Sequence, residues 1–94
     1  MKNGFEWDEA KRVRNLVKHG IDFIDAKEGW EHGAIEIRSD QEHGETRWLA
    51  IGKAGGKFIT VVYTYRREKK RIISARIARN YERKYYDNET GGRS

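Results

Sequence analysis

The side chains able to do chemistry in this chain are basic and polar: Lys18-His19, Glu45 with Arg47, Arg66-Arg67, and Arg76 with Arg79. Histidine and glutamate exchange protons near neutral pH, and arginine binds two phosphate oxygens at once through its planar fork. Those types are what metal-free cleavage of RNA requires. A base takes the proton of a 2′-hydroxyl as it attacks the adjacent phosphate, an acid protonates the departing 5′-oxygen, and cations stabilise the charged phosphorane. Many small basic proteins hold the same types, so each arginine also fits a solvated position at a strand end or on a helix. No metal site is expected. The histidines are His19, His32 and His43, and the last two are eleven residues apart with no third ligand nearby. The chain has no cysteine, which removes thiolate sites and disulfides alike. No Walker loop, dinucleotide fingerprint or nucleophile elbow is present.

Charge is distributed unevenly. Residues 1–46 hold seven Lys/Arg and eleven Asp/Glu, a balance of −4, whereas residues 47–94 hold thirteen and four, a balance of +9; together they make the net +5. The basic residues alternate with strand-forming ones instead of forming a tail, which points to a surface directed at a polyanion, RNA first among them. Two other classes fit the same pattern. A non-catalytic nucleic-acid-binding module could stack bases on Trp48, Tyr63, Tyr65, Tyr81 and Tyr85, and an interaction protein could dock an acidic partner on its basic half. No apolar run approaches the ~18 residues of a membrane span. Met1 to Phe5 lack the core of a signal peptide, and a cytoplasmic location is expected.

Phe5-Glu6-Trp7 has the alternation of an edge strand. Asp8 can cap a helix over about residues 8–19, closed by Gly20; Ala10, Val13, Val17 and Ile21 share one face, expected to be the core face, while Lys11, Arg12, Arg14, Asn15 and Lys18 fall mostly elsewhere. Lys18-His19 would complement the C-terminal end of its dipole. Asp22 can start a second, two-turn helix that Gly29 stops, with Ile21 stapled onto Ala26. Strands are expected over Ala34–Arg38, Arg47–Gly52, Phe58–Tyr65 and Arg71–Arg76, with a paired-glycine hairpin at Gly55-Gly56 and a charged turn over Arg66–Lys70. Phe58–Tyr65 is apolar enough for a central strand. A last helix is expected over about Ala78–Tyr86. The order predicts an α+β fold: a small antiparallel sheet with the N-terminal helices on one face and a short C-terminal helix. Arg66 and Arg76 fall on adjacent strands, either side of a turn, and spacing alone does not say whether they converge.

Five segments in order carry a family resemblance: Phe5-Glu6-Trp7-Asp8-Glu9-Ala10-Lys11; Asn15 to Phe23 with Ala26; Gly44-Glu45-Thr46-Arg47-Trp48 with Ile51-Gly52; Val61-Val62-Tyr63-Thr64 with Arg66; and Arg71 to Arg76 with Ala78, Glu82-Arg83 and Tyr86. Over residues 5–88 the chain resembles the BrnT family of toxins from type II toxin–antitoxin systems. The resemblance implies a RelE-like fold and a ribonuclease that arrests translation; length and composition predict a single domain over 1–88 with a flexible tail at 89–94, and no cofactor is expected. The resemblance also implies an antitoxin of the BrnA type, similar to ribbon-helix-helix proteins, whose complex binds operator DNA. Lys18, His19, Glu45, Arg47, Arg66, Arg76 and Glu82 match the family's functional motifs; His19, Glu45, Arg66 and Arg76 are the expected catalytic set, and Lys18, Arg47, Glu82 and the added cations Arg71 and Arg79 are expected to bind substrate. Two positions depart from the family's pattern. Tyr65 stands where relatives often carry an acid, and Arg79 where they often carry a Ser or Thr that would make a capping box with Glu82.

Overall fold

A computed structural model describes residues 4–39 and 45–91. The chain runs β1 (Phe5–Trp7), α1 (Glu9–His19), α2 (Phe23–Ala26), α3 (Glu28–Glu31), β2 (Ile35–Arg38), β3 (Trp48–Ala54), β4 (Lys57–Arg66), β5 (Lys69–Ile77) and α4 (Asn80–Glu89). The strands form one sheet in the order β1-β5-β4-β3-β2, antiparallel except for the parallel pairing of β1 with β5. The fold is therefore α+β, with the β-branched and aromatic run of β4 at its centre. Gly55 and Gly56, both at positive φ, make the two-residue hairpin between β3 and β4. The next hairpin is as tight. Arg67 and Glu68 alone connect β4 to β5, at φ 55° and 69°, so β4 runs through Arg66 and the expected charged loop shrinks to two residues. Among the described residues no helix is long and apolar enough to cross a membrane.

Register assigns each side chain to a face, because residues directly opposite one another project the same way. The first face carries Ala50, Ile59, Val61, Tyr63, Ile72 and Ala75, which join Ile21, Phe23 and Ala26 in the main core, with Trp7, Trp30 and Trp48 at its margin. Ile21 and Ala26, the pair expected to staple, both lie in that cluster. Gly29 does not stop a helix. It sits inside α3, where it packs against Gly52 of β3, and a Cβ on Gly52 would lie 3.0 Å from the Gly29 carbonyl oxygen. Two glycines let the helix backbone rest directly on the sheet.

The second face is covered in part by α4. Phe58 stacks edge-on against Tyr86, and Thr60 Oγ1 donates to Glu82 Oε1 (2.9 Å). Glu82 is fully buried and takes a two-pronged pair from Arg76, both contacts at 2.8 Å. It also reaches back to accept the Arg79 N–H (2.7 Å), which is half of a capping box. Arg79 cannot supply the other half, because a guanidinium has no acceptor. So α4 begins at Asn80, later than expected, and extends through Glu89 to a Thr90 cap.

The N-terminal helix shows the largest difference from the sequence reading. Its ends are as expected, with Asp8 accepting from Ala10 and Lys11 and Gly20 left-handed at φ 74°. Its orientation is not. Val13 and Val17 face outward, Val17 at 83% exposure, and the buried residue is Asn15 at 7%. The Asn15 side chain donates to the Ile21 and Ala75 carbonyls (2.9 Å each) and accepts the Ala75 N–H (3.0 Å). β1 pairs with β5 only over Lys70–Ile72, so among the described residues the outer edge of β5 beyond Ile72 has no strand beside it. Asn15 completes the ladder there, and that requirement outweighs the burial of two valines. On the adjoining flank Arg12 bridges Glu9 and Asp22 (2.5 and 2.8 Å), tying α1 to the N-cap of α2.

Two stability measurements follow. Asn15→Ala should cost roughly 2–4 kcal/mol in denaturant unfolding, since three buried backbone groups lose their partner, whereas Val17→Ser should change stability by less than about 0.5 kcal/mol. Burial alone would raise the Glu82 pKa, but the hydrogen bonds from Arg76, Arg79 and Thr60 outweigh it and bring it down to about 2. A depressed carboxyl stabilises fully above its unfolded value of 4.5 and loses that contribution as pH falls through about 2. Glu82→Gln should therefore be less stable at neutral pH by roughly 3 kcal/mol, and the gap should close between pH 4.5 and 2. Parallel acid-unfolding curves for the two proteins would refute that role.

Candidate nucleic-acid site

The second face of the sheet gathers arginines from β4 and β5. Thr60 lies opposite Arg76, Val62 opposite Ser74, Thr64 opposite Arg71, and Arg66 opposite Lys69. Simple alternation along β5 would put Arg71 and Ser74 on opposite faces. A bulge at Ile73, left out of the pairing between Val62–Ser74 and Tyr63–Ile72, resets the alternation. Arg71, Ser74 and Arg76 thereby share the face that carries Arg66. Arg47 joins them: pairing of β2 with β3 continues into Ser39 N–H to Arg47 carbonyl (2.7 Å), and Thr64 Oγ1 donates to the neighbouring Thr46 carbonyl (2.7 Å). Glu45 stands 3.7 Å from Arg47, so that pair also borders the face.

These residues are not equivalent. Arg66 and Arg76 lie six pairing steps apart on the sheet, roughly 20 Å at the rise of a strand, so they cannot hold the same phosphate. The Arg76 guanidinium is committed to Glu82, and Glu82, with no exposure, cannot itself reach a substrate. Arg71 is ion-paired with Glu6 of β1 at 3.1 Å, both partly exposed. Arg66 is exposed at the end of β4, with no ion-pair partner among the described residues. Arg79 is exposed at the N-cap of α4. Tyr63 is fully buried and Trp48 and Tyr65 pack edge-on beside it on the first face, so Tyr63 cannot stack on a base; Tyr81 and Tyr85 are exposed on α4.

Lys18 and His19 lie elsewhere, but next door. Between α1 and the free edge of β5 runs a groove of about 370 Å³, lined by Lys11, Arg14, Asn15, Lys18 and His19 from the helix and by Ile73 and Ser74 from the strand. Ser74 belongs to the arginine face, so the groove opens onto it. Lys11, Arg14 and Ser74 were not singled out from the sequence. The two cations could have been, since positions 11, 14 and 18 recur at helical spacing on one side of α1; Ser74 could not, because only the bulge turns it this way. The groove joins an imidazole, a hydroxyl and three cations, a set that can hold a phosphodiester and move a proton beside it. Among the described residues no three His, Asp or Glu side chains gather as a metal site, and His43 lies outside those residues.

Comparison with known proteins places this geometry in a family. No curated protein sequence matches the chain. The structure is similar to the crystal structure of the Brucella abortus ribonuclease toxin BrnT, solved at 1.1 Å resolution, with a TM-score of 0.62 and 31% sequence identity over 83% of this chain and 99% of that one. The family model for BrnT, the ribonuclease toxin of type II toxin–antitoxin systems, matches residues 7–82, from the end of β1 to the buried Glu82. The chain belongs to the BrnT family of ribonuclease toxins.

Proposed function

We propose that the protein is a metal-independent endoribonuclease that arrests translation by cutting RNA, working at the junction of the α1–β5 groove and the arginine face. The observation that carries this is the shared position of Ser74: it lines the groove with Lys18 and His19 and also stands on the face bearing Arg66, Arg71 and Arg76. In this reading the phosphate chain enters along the groove, its charge met by Lys18 together with Lys11 and Arg14. His19 takes the proton of the 2′-hydroxyl as that oxygen attacks phosphorus. The 5′-oxygen leaves and is protonated in turn, giving a 2′,3′-cyclic phosphate and a 5′-hydroxyl, so no water and no metal enter the step. Glu45, two strands away from β5 beside Arg47, is the second group able to exchange a proton. Arg66 and Arg71 hold the strand further along the face. Arg76 acts from behind, positioning β5 and α4 through Glu82. The partner is an antitoxin of the ribbon-helix-helix type, and the pair binds its operator DNA.

Purified protein should cleave RNA undiminished in excess EDTA; loss of cleavage restored by a divalent cation would overturn the metal-independent reading. His19→Ala should lower the cleavage rate on the order of 100-fold with an unchanged thermal midpoint. Arg66→Ala should weaken RNA binding and flatten its salt dependence by about one phosphate contact, whereas Arg76→Ala should lower the thermal midpoint as well. Full activity in His19→Ala would remove the imidazole from the mechanism.

A further inference from the structure

The outward face of α1 is unexplained by ribonuclease chemistry. At about 100° per residue, Val13 and Val17 lie opposite Asn15 and Leu16 on the flank beside them, exposed by 47, 83 and 39%, and Ile24 on the adjoining α2 is exposed by 51%. Lys11, Arg14 and Lys18 form the next arc, between these apolar residues and the groove. Among the described residues no hydrogen bond or ion pair engages the side chain of any of the three. RNA gains nothing from four aliphatic side chains, and small proteins seldom leave so many large ones together on one side without a partner. The fold itself turns them outward, because Asn15 must meet the edge of β5.

We infer that the outer face of α1, with Ile24 of α2, is the surface on which the antitoxin docks. The occupant it fits is an amphipathic acidic segment: apolar side chains laid over Val13, Leu16, Val17 and Ile24, and carboxylates against Lys11, Arg14 and Lys18. Charge complementarity selects this occupant over a second copy of the chain, whose equivalent surface would bring like charges together. The same cations wall the groove, so a docked acidic segment denies them to RNA. The inference rests on the toxin–antitoxin pairing proposed above.

The test is the binding of purified toxin to the antitoxin encoded with it, followed by calorimetry, with RNA cleavage measured separately. The double variant Val13→Glu/Val17→Glu should bind the antitoxin roughly 100-fold more weakly while its far-ultraviolet circular dichroism, thermal midpoint and cleavage rate without antitoxin stay as in the parent. Val17→Lys alone should cost less than Val17→Glu alone, because the partner is acidic. Unchanged antitoxin binding by the double variant overturns the inference. So does a parent protein that self-associates in sedimentation while the double variant does not, if antitoxin binding is the same for both, since the face then holds a second copy. Weakened RNA cleavage with intact antitoxin binding overturns it as well. A parent that binds antitoxin but cuts no RNA would refute the nuclease reading and leave the docking measurement valid.

Discussion

The amide of Asn15 sets the geometry of this molecule. β1 is three residues long and covers only the start of the outer edge of β5. Past Ile72 that edge would face the interior of the fold with its backbone groups unmet, and a buried unpaired N–H or C=O is costly. A carboxamide has the donor and acceptor of one peptide unit, so Asn15 serves as one rung of a missing strand. In doing so it fixes the rotation of α1 about its own axis. Arg12 is then directed at Asp22, Lys18 and His19 at Ser74, and the aliphatic arc at solvent. The groove and the apolar surface are two consequences of one hydrogen-bonded contact.

The bulge at Ile73 does for β5 what Asn15 does for α1. A regular strand would have left Arg76 on the face of Ile72, inside the main core, where a guanidinium has no partner. One extra residue moves Ser74 and Arg76 to the opposite face, across from Val62 and Thr60. There Arg76 meets Glu82 and the buried charge is fully paired, with Thr60 and the Arg79 N–H satisfying the remaining oxygen valences. A buried pair of this kind adds little net stability compared with an apolar substitute, but removing one partner is severe. Its effect is to hold the N-terminus of a short helix, whose cap is only half formed, at one position on the sheet.

The charge asymmetry of the chain takes on a different meaning in three dimensions. The basic C-terminal half supplies Arg66 and Arg71 to the open face, but it also spends Arg76 internally. The acidic N-terminal half supplies Lys11, Arg14 and Lys18, a cationic wall formed by one side of one helix, with the His19 imidazole at its end. Net charge by segment therefore mapped the cationic side chains only in part, because a helix concentrates on one side what the sequence intersperses with carboxylates.

The sequence by itself determined the elements and the family. Asp8 and Gly20 bound α1, Asp22 starts α2, Gly55-Gly56 turns the first long hairpin, and Phe58–Tyr65 lies in the central strand, because caps, positive φ and β-branched runs act over a few residues. The ordered segments from Phe5 to Tyr86 likewise carried the resemblance that the family model and the Brucella toxin support. Only the tertiary structure decided which way those elements face. The apolar spacing of Ala10, Val13 and Val17 promised a core face, yet the bare edge of β5 called for an asparagine. Arg76 read as a catalytic residue, yet in the fold its guanidinium meets Glu82, six residues on, across a turn into α4. Gly29 read as a helix stop until Gly52 lay against it. In each case the deciding partner is a backbone edge, a buried carboxylate or a second glycine that comes close only when the chain folds, so no local pattern records it.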